Sequence, residues 1–324
     1  MGIDALVLAG DRKGAKLLYG TNKAFLYLRG KPLLTYVLSA LERAQEVEKI
    51  HIVGPEERLR ELLAEFQYSK PIKYLPQGEN VFENIWYGSL STFPEYEWGK
   101  DWSGLKELKE KDKLVLVTTC DIPLLEPVEV DEFIKTAPSQ DFDMVFGITR
   151  KEMLVPFAPK NGDEGISFAY FVMKDIIFRQ ANIFLLRPTR LGYVMELFIP
   201  LVYQFRHQKL WRNIIRGFWI IAKLRVGGRA LYYFTVLQAG RIFDGKGWRL
   251  LRNLARKGVS LPEILEYVRP ILQTRFTAFE TIGPGPTIDV DNEEDLAVFE
   301  KMFDRFKEIQ REILEKRYPL PEKV

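Results

Sequence analysis

The chain of 324 residues contains one cysteine, Cys120, and only two histidines, His51 and His207. A single cysteine excludes an internal disulfide framework and fits a reducing compartment. Neither histidine falls in a motif. No run of about 18 apolar residues exists, so no segment is expected to span a membrane. The longest candidate, 194–205, is too short and is interrupted by Glu196 and Pro200. The start, Met1-Gly2-Ile3-Asp4, has no basic n-region and no cleavage-like site, so no signal peptide is expected and the cytoplasm is the expected location. Repeats and low-complexity tracts are absent. Acidic residues are scarce in one region: Arg187 to Lys257 holds 15 Arg and Lys but only two acids, Glu196 and Asp244. The chain as a whole carries only +3, so a strongly basic segment is set against an acidic remainder. Such asymmetry points to a basic face turned toward an anionic partner.

What is present is a core-forming composition, 47% hydrophobic and 28% charged. Short apolar runs of the buried-strand type occur at 3–9, 49–54, 72–75, 114–117 and 144–149. Helical spacing separates them, as with Leu33, Leu34, Val37, Leu38 and Leu41 after Pro32. Further helices are expected at 56–66, 80–93 and 128–136, and the polar stretch 95–113 reads as a surface connection. Strands alternating with helices predict an α/β fold with a mostly parallel sheet and helices on both faces. After about residue 188 the strand signal gives way to long amphipathic stretches, up to about 272. A strand-like Thr287-Ile288-Asp289-Val290 follows, and then a helix from Glu293 capped by Asn292. The chain therefore divides into an α/β core, residues 1–188 and 273–324, and a basic helical insertion, residues 189–272.

Three constellations could carry chemistry. In the first, Leu8-Ala9-Gly10 ends a buried strand and opens a loop containing Arg12, Lys13, Lys16 and Lys23. A loop at the carboxyl end of a buried strand is where open α/β sheets bind ligands. Backbone N–H groups and cations there suit a polyphosphate. The second, Cys120-Asp121-Ile122-Pro123-Leu124-Leu125, places a carboxylate directly after another buried strand. The third, Asp289-Val290-Asp291-Asn292-Glu293-Glu294-Asp295-Leu296, places more carboxylates near a third. Carboxylates from separate strand ends can share a Mg²⁺ whose other ligands are phosphates and water. Singly, each has an ordinary reading as a turn glycine, a cap or a first-turn acid.

Together these segments, with Gly30-Lys31-Pro32-Leu33-Leu34, resemble the nucleotidyltransferases of the MobA-like NTP transferase superfamily. The resemblance covers roughly 3–150 and 280–300, and extends weakly through Asn182-Ile183-Phe184-Leu185. It implies a Rossmann-like core of GT-A type that binds an NTP and Mg²⁺. It also implies attack by a phosphorylated small molecule (a sugar, polyol or cofactor precursor) on the α-phosphate, with release of pyrophosphate. By position, Leu8, Ala9 and Gly10 would lie against the nucleotide, with Arg12 and Lys23 on its phosphates. Asp121 and Asp291 would hold the metal, and Lys23, Arg12 and Asp121 would carry catalysis. Gln77 and Gly78 would meet the base, and Asn182 the acceptor. Asp11 stands where the family usually has a second glycine. A carboxylate beside a triphosphate is unfavourable unless it points away or meets the metal.

Two alternatives use the same core. A GT-A glycosyltransferase would usually show D-x-D after the central strand, where this chain has Asp121-Ile122-Pro123. A membrane-associated binding or scaffold protein would use a degenerate core. The membrane reading comes from residues 187–257, above all 209–223, where Trp211, Ile214, Ile215, Phe218 and Ile221 fall on one helical face and Arg212, Arg216 and Lys223 on another. That composition suits an interfacial helix at an anionic inner membrane face, and equally an ordinary helical lobe or a self-association surface. No nucleic-acid-binding fold is recognised, so nucleic acid is not an expected partner.

Overall fold

A computed structural model describes residues 2–11, 17–99, 108, 112–160, 162, 164–191 and 227–317. The expected alternation is present. β1 (Ile3–Leu8) leads through a 3₁₀ turn at Lys23–Phe25 and a short hairpin, β2 (Tyr27–Leu28) and β3 (Lys31–Pro32), into α1 (Leu33–Arg43). Next come β4 (Val47–Val53), α2 (Glu56–Leu63), β5 (Ile72–Leu75), α3 (Val81–Leu90), β6 (Val115–Thr119), α4 (Pro127–Thr136) and β7 (Met144–Arg150). The short α5 (Lys151–Leu154), β8 (Phe171–Val172) and the long β9 (Ile177–Leu186) follow. Three helices, α6 (Gly227–Gly245), α7 (Arg249–Arg256) and α8 (Leu261–Leu272), precede β10 (Phe276–Glu280) and α9 (Glu293–Arg317).

The main sheet runs β10-β7-β9-β6-β1-β4-β5, with β8 paired to β9. β1 is parallel to both β4 and β6, and β7 is parallel to β10, while β9 runs antiparallel between β6 and β7. The chain leaves β1 for β4 on one side and later returns to place β6 on the other. This reversal opens a crevice at the carboxyl ends of β1 and β6, where such sheets bind ligands. Alternation along β1 feeds two layers. Ala5 and Val7 pack with Leu34, Leu38 and Leu41 of α1 and Phe133 of α4, whereas Leu6 and Leu8 pack with Trp86 and Leu90 of α3. The apolar stripe of α1 is fully buried at Leu33, Leu34, Val37, Leu38 and Leu41. Each contributes about 1.5–3 kcal/mol relative to exposure, so this helix fixes the loop that precedes it.

The strand expected at Thr287–Val290 is not one. After β1, β4, β5, β6 and β7, the sixth strand of the parallel set is β10, which ends at Glu280, ahead of that segment; Pro284 caps and Pro286 lies within a 3₁₀ turn at Gly285–Thr287, where proline suits a turn and cannot donate to a ladder. Residues 288–291 then run as extended coil tied to the β6 loop by Val290 N–H donating to the Asp121 carbonyl, 2.9 Å. The helices between β9 and β10 dock on the β8–β9 turn: Lys174 N–H donates to the Val259 carbonyl, and Leu237, Leu261 and Ile264 cover Met173, Ile176 and Phe178. The aromatic segment 209–223 lies outside the described residues. Among the described residues, no helix is long and apolar enough to cross a membrane.

Candidate active site

The loop after β1 is held from beneath by Asn22. Its amide nitrogen donates to the carbonyls of Ala9 (3.1 Å) and Gly10 (2.7 Å), and its oxygen accepts from Ala24 N–H (2.7 Å), capping the 3₁₀ turn that starts at Lys23. One buried side chain thus ties the glycine of the loop to the lysine. Gly10 itself has no room for a side chain, because a Cβ there would run into the Asn84 amide. Asn84 also accepts from Gly78 N–H at 2.7 Å, so Gly10, Gly78 and Asn84 form one unit across the ends of β1 and β5.

Lys23 Nζ reaches Asp121 Oδ2 at 2.6 Å and Asp291 Oδ1 at 3.1 Å. Residues separated by about a hundred positions or more in sequence are joined here through the ends of β6 and the turn after β10. Burial alone would lower the lysine's pKa, but the Asp121 and Asp291 carboxylates outweigh it and hold the ammonium charged above its ordinary value. Arg179, on β9, donates to Asp289 Oδ1 at 2.8 Å and to Asp291 Oδ2 at 3.3 Å. Asp121, Asp289 and Asp291 offer oxygen atoms that all lie within 4.8 Å of one another. Burial, then the neighbouring Asp121 carboxylate, raise Asp289 to about 7. Asp121 Oδ1 is buried without a hydrogen-bond partner. An all-oxygen donor set with an unsatisfied buried oxygen fits a hard divalent cation such as Mg²⁺. Cys120, next to this cluster, is a buried thiol whose pKa is pushed up by desolvation and by Asp121, which keeps it protonated.

Of the residues read from sequence, Lys23, Asp121 and Asp291 meet one another, Leu8 and Ala9 are buried in the core at the end of β1, Gly10 follows them, and Arg12 lies outside the described residues. Gln77 and Gly78 follow β5. Gln77 is engaged by Asp11, accepting from its N–H and donating to its carboxylate, each at 2.8 Å. The other Asp11 oxygen meets Arg58 Nη1 at 3.0 Å. Asn182 sits on β9 beside the end of β6, its carbonyl accepting from Thr118 Oγ1 at 2.8 Å. Sequence reasoning did not single out Asn22, Arg179 or Asn84, nor assign a metal role to Asp289. The alternating D-V-D at 289–291 carried a signal for the last of these.

Residues 5–161 match the family model of the MobA-like NTP transferase domain, which thus covers just under half of the chain. The matched stretch includes Lys23 and Asp121 and ends before Arg179, Asp289 and Asp291. Among curated proteins, the 2-C-methyl-D-erythritol 4-phosphate cytidylyltransferase of Rubrobacter xylanophilus is 48% identical over 61 residues, 19% of this chain and 25% of that one. The enzyme of the same name from Geobacillus kaustophilus is 36% identical over 91 residues, 27% and 40% of the two chains. The alignments thus span well under half of either relative. A solved structure, described as a hypothetical transferase from Thermus thermophilus, matches with a TM-score of 0.58 and 24% identity, covering 91% of this chain and 100% of that one. It shares the Rossmann-like α/β fold.

Proposed function

We propose that the chain is a Mg²⁺-dependent nucleotidyltransferase that moves a nucleoside monophosphate from an NTP to a phosphorylated small molecule and releases pyrophosphate. The observation that carries this reading is the meeting of Lys23 with Asp121 and Asp291 at the carboxyl ends of the central strands. The MobA-like domain and the cytidylyltransferase relatives support it, and make CTP the first NTP to test and a sugar- or polyol-phosphate the first acceptor class. Residues 189–272 are read as an insertion into this core.

Asp121 and Asp291, with Asp289, would hold the metal, which when bound supplies charge neutralisation on the phosphates. Lys23 would meet the phosphates with a positive charge that its carboxylate neighbours keep protonated against the cost of burial. Arg179 holds Asp289 and Asp291 in register from β9. Asn22 holds the Ala9 and Gly10 carbonyls, so that the backbone at the end of β1 is preorganised rather than ordered during the reaction. An acceptor phosphate is already anionic at neutral pH, so no side chain need remove a proton. Rate would come from alignment and electrostatic stabilisation.

The test is pyrophosphate release from each of ATP, GTP, CTP and UTP with a panel of sugar and polyol phosphates, preceded by thermal shifts of the protein with each NTP, with and without Mg²⁺. A ligand at 100 times its Kd stabilises a fold by about 2.7 kcal/mol. A Mg²⁺-dependent shift with one NTP, and pyrophosphate formed only with an acceptor, is the expected result. No shift with any NTP would remove the proposal, and shifts with nucleotide-sugars alone would move it to a glycosyltransferase.

A further inference from the structure

Helix α7 is built inside out. Its sequence, Arg249 to Arg256, alternates cations and leucines so that Leu250, Leu251 and Leu254 share one face and Arg252 and Arg256 the other. A helix on a globular protein ordinarily turns its apolar stripe to the core. Here the arginine face is the inner one. Arg252 pairs with Asp244 at 3.2 Å, and Arg256 Nε donates to the Met173 carbonyl at 2.9 Å. The leucine face points outward, with Leu250 86% and Leu254 69% exposed. Trp248, at the start of the helix, is half exposed and stacks on Phe243, with Lys246 Nζ 4.8 Å from its ring centre.

We propose that α7 and Trp248 form a docking surface for an anionic lipid bilayer. The leucines and the indole would enter the boundary between headgroups and acyl chains, and the cations at the rim would meet lipid phosphates and carboxylates. Charge selects this occupant. Within 227–257 there are seven Arg and Lys against one acid, and that acid, Asp244, is already taken by Lys151 (2.8 Å) and Arg252. Lys246, over the Trp248 ring, and Lys257, which caps the end of α7, are both exposed. A second copy would bring the same positive charge against this face, whereas an anionic headgroup layer complements it. The inference is independent of the chemistry assigned to the crevice.

The test uses the full chain with sedimented vesicles of phosphatidylcholine alone or with phosphatidylserine. Expected is binding to the serine-containing vesicles at low salt, weakened at high salt as screening shortens the reach of the rim cations, and little binding to phosphatidylcholine alone. The double substitution Leu250→Glu with Leu254→Glu should weaken partitioning by about 100-fold or more, since each leucine loses its burial in lipid. Both positions are already solvated, so its thermal midpoint and any NTP-induced shift should match the unsubstituted chain. Absence of binding to anionic vesicles, or binding unchanged by the double substitution, would overturn the proposal. So would a dimer in solution that the substitution disperses in a protein that ignores vesicles, which would give the face to a second copy.

Discussion

Gln77 closes on Asp11 with both ends of its amide, its oxygen taking the Asp11 N–H and its nitrogen reaching the Asp11 carboxylate, at 2.8 Å each. The carboxylate that stands where a second glycine is usual therefore does not face the crevice uncompensated. It is drawn toward β5 and α2, where Arg58 takes its second oxygen and stacks 4.2 Å from the centre of the Phe25 ring. Asp11 immediately precedes Arg12, so this clamp sets where the basic loop departs. The sign of one substitution separates clamp from repulsion. Asp11→Ala is expected to weaken NTP binding by roughly 3–10-fold, the worth of the hydrogen bonds lost. A carboxylate that merely repelled phosphate would give tighter binding when removed. Gln77→Ala should weaken all four NTPs alike. Titration calorimetry with each NTP in Mg²⁺ checks both, and a change in base preference for Gln77→Ala would show that its amide reads the base directly.

Lys23 balances the Asp121 and Asp291 carboxylates, and in the proposed complex it would balance phosphates as well. Lys23→Ala should lower turnover by about 10²–10³-fold, the usual cost of one preorganised charge-stabilising group. It also leaves Asp121, Asp289 and Asp291 without their central cation, so its thermal midpoint without divalent ions should fall. Added Mg²⁺ should then raise the midpoint of Lys23→Ala more than that of the parent chain. Asp121→Ala should lose turnover too, but with a weaker response to Mg²⁺. Pyrophosphate assays and thermal unfolding with and without Mg²⁺ measure these outcomes, and full turnover in either variant would rule out the assigned roles.

The part of the fold read most directly from the chain is the central strands: β1, β6 and the 50–53 portion of β4 each announce themselves by a buried run soon followed by glycine or charge. Lys23 and Asp121 were legible for the same reason, as polar residues next to such runs. β9 was only half legible, because its apolar portion Asn182–Leu185 is preceded by Arg179 and Gln180, which break the pattern. Arg179 left no local trace, since its carboxylate partners lie 110 and 112 positions away. Thr287–Val290 looked like a strand because its apolar side chains are indeed buried. What buries them is the packing of Ile288 and Val290 against Phe299, Phe306 and Leu124, not a ladder.

The turn before Asp289 is held by contacts too tight for any side chain at Gly285. Its N–H donates to Glu129 Oε1 at 2.8 Å, and a Cβ would collide with the Glu129 carboxylate, the Leu124 carbonyl and the Gln310 amide. Thr287 is pinned in turn by Thr149, whose hydroxyl lies 2.5 Å from its own. Gly285→Ala should therefore destabilise the fold by about 1–3 kcal/mol, as overpacking of a closed interior does. The strain lies four residues from Asp289, so the response to Mg²⁺ should weaken as well. Denaturant unfolding measures the first effect and a Mg²⁺ titration followed by thermal shift the second. An unchanged stability would mean that this turn has slack that the structure does not show.

Glu129 is the carboxyl that this turn closes over, and it makes the fold sensitive to pH. Burial raises it from an ordinary value of 4.5 to about 8, more than the N–H donors from Gly285 and Glu126 can offset. Between those two values the folded chain keeps a proton that the unfolded chain gives up. The proton count therefore favours the folded state progressively less as pH rises. Glu129's contribution is fully present below about pH 4.5, is lost as pH climbs toward 8, and changes little beyond. The full gap corresponds to a loss of a few kcal/mol, at about 1.4 kcal/mol per pH unit. Glu129→Gln cannot titrate. Whatever it costs in hydrogen bonds to Glu126 and Gln310, its stability relative to the parent chain should improve steadily from pH 5 to pH 8. Thermal midpoints of both proteins across that range give the comparison. Parallel curves would show that Glu129 is ionised throughout, with the Gly285, Glu126 and Gln310 donors together outweighing its burial.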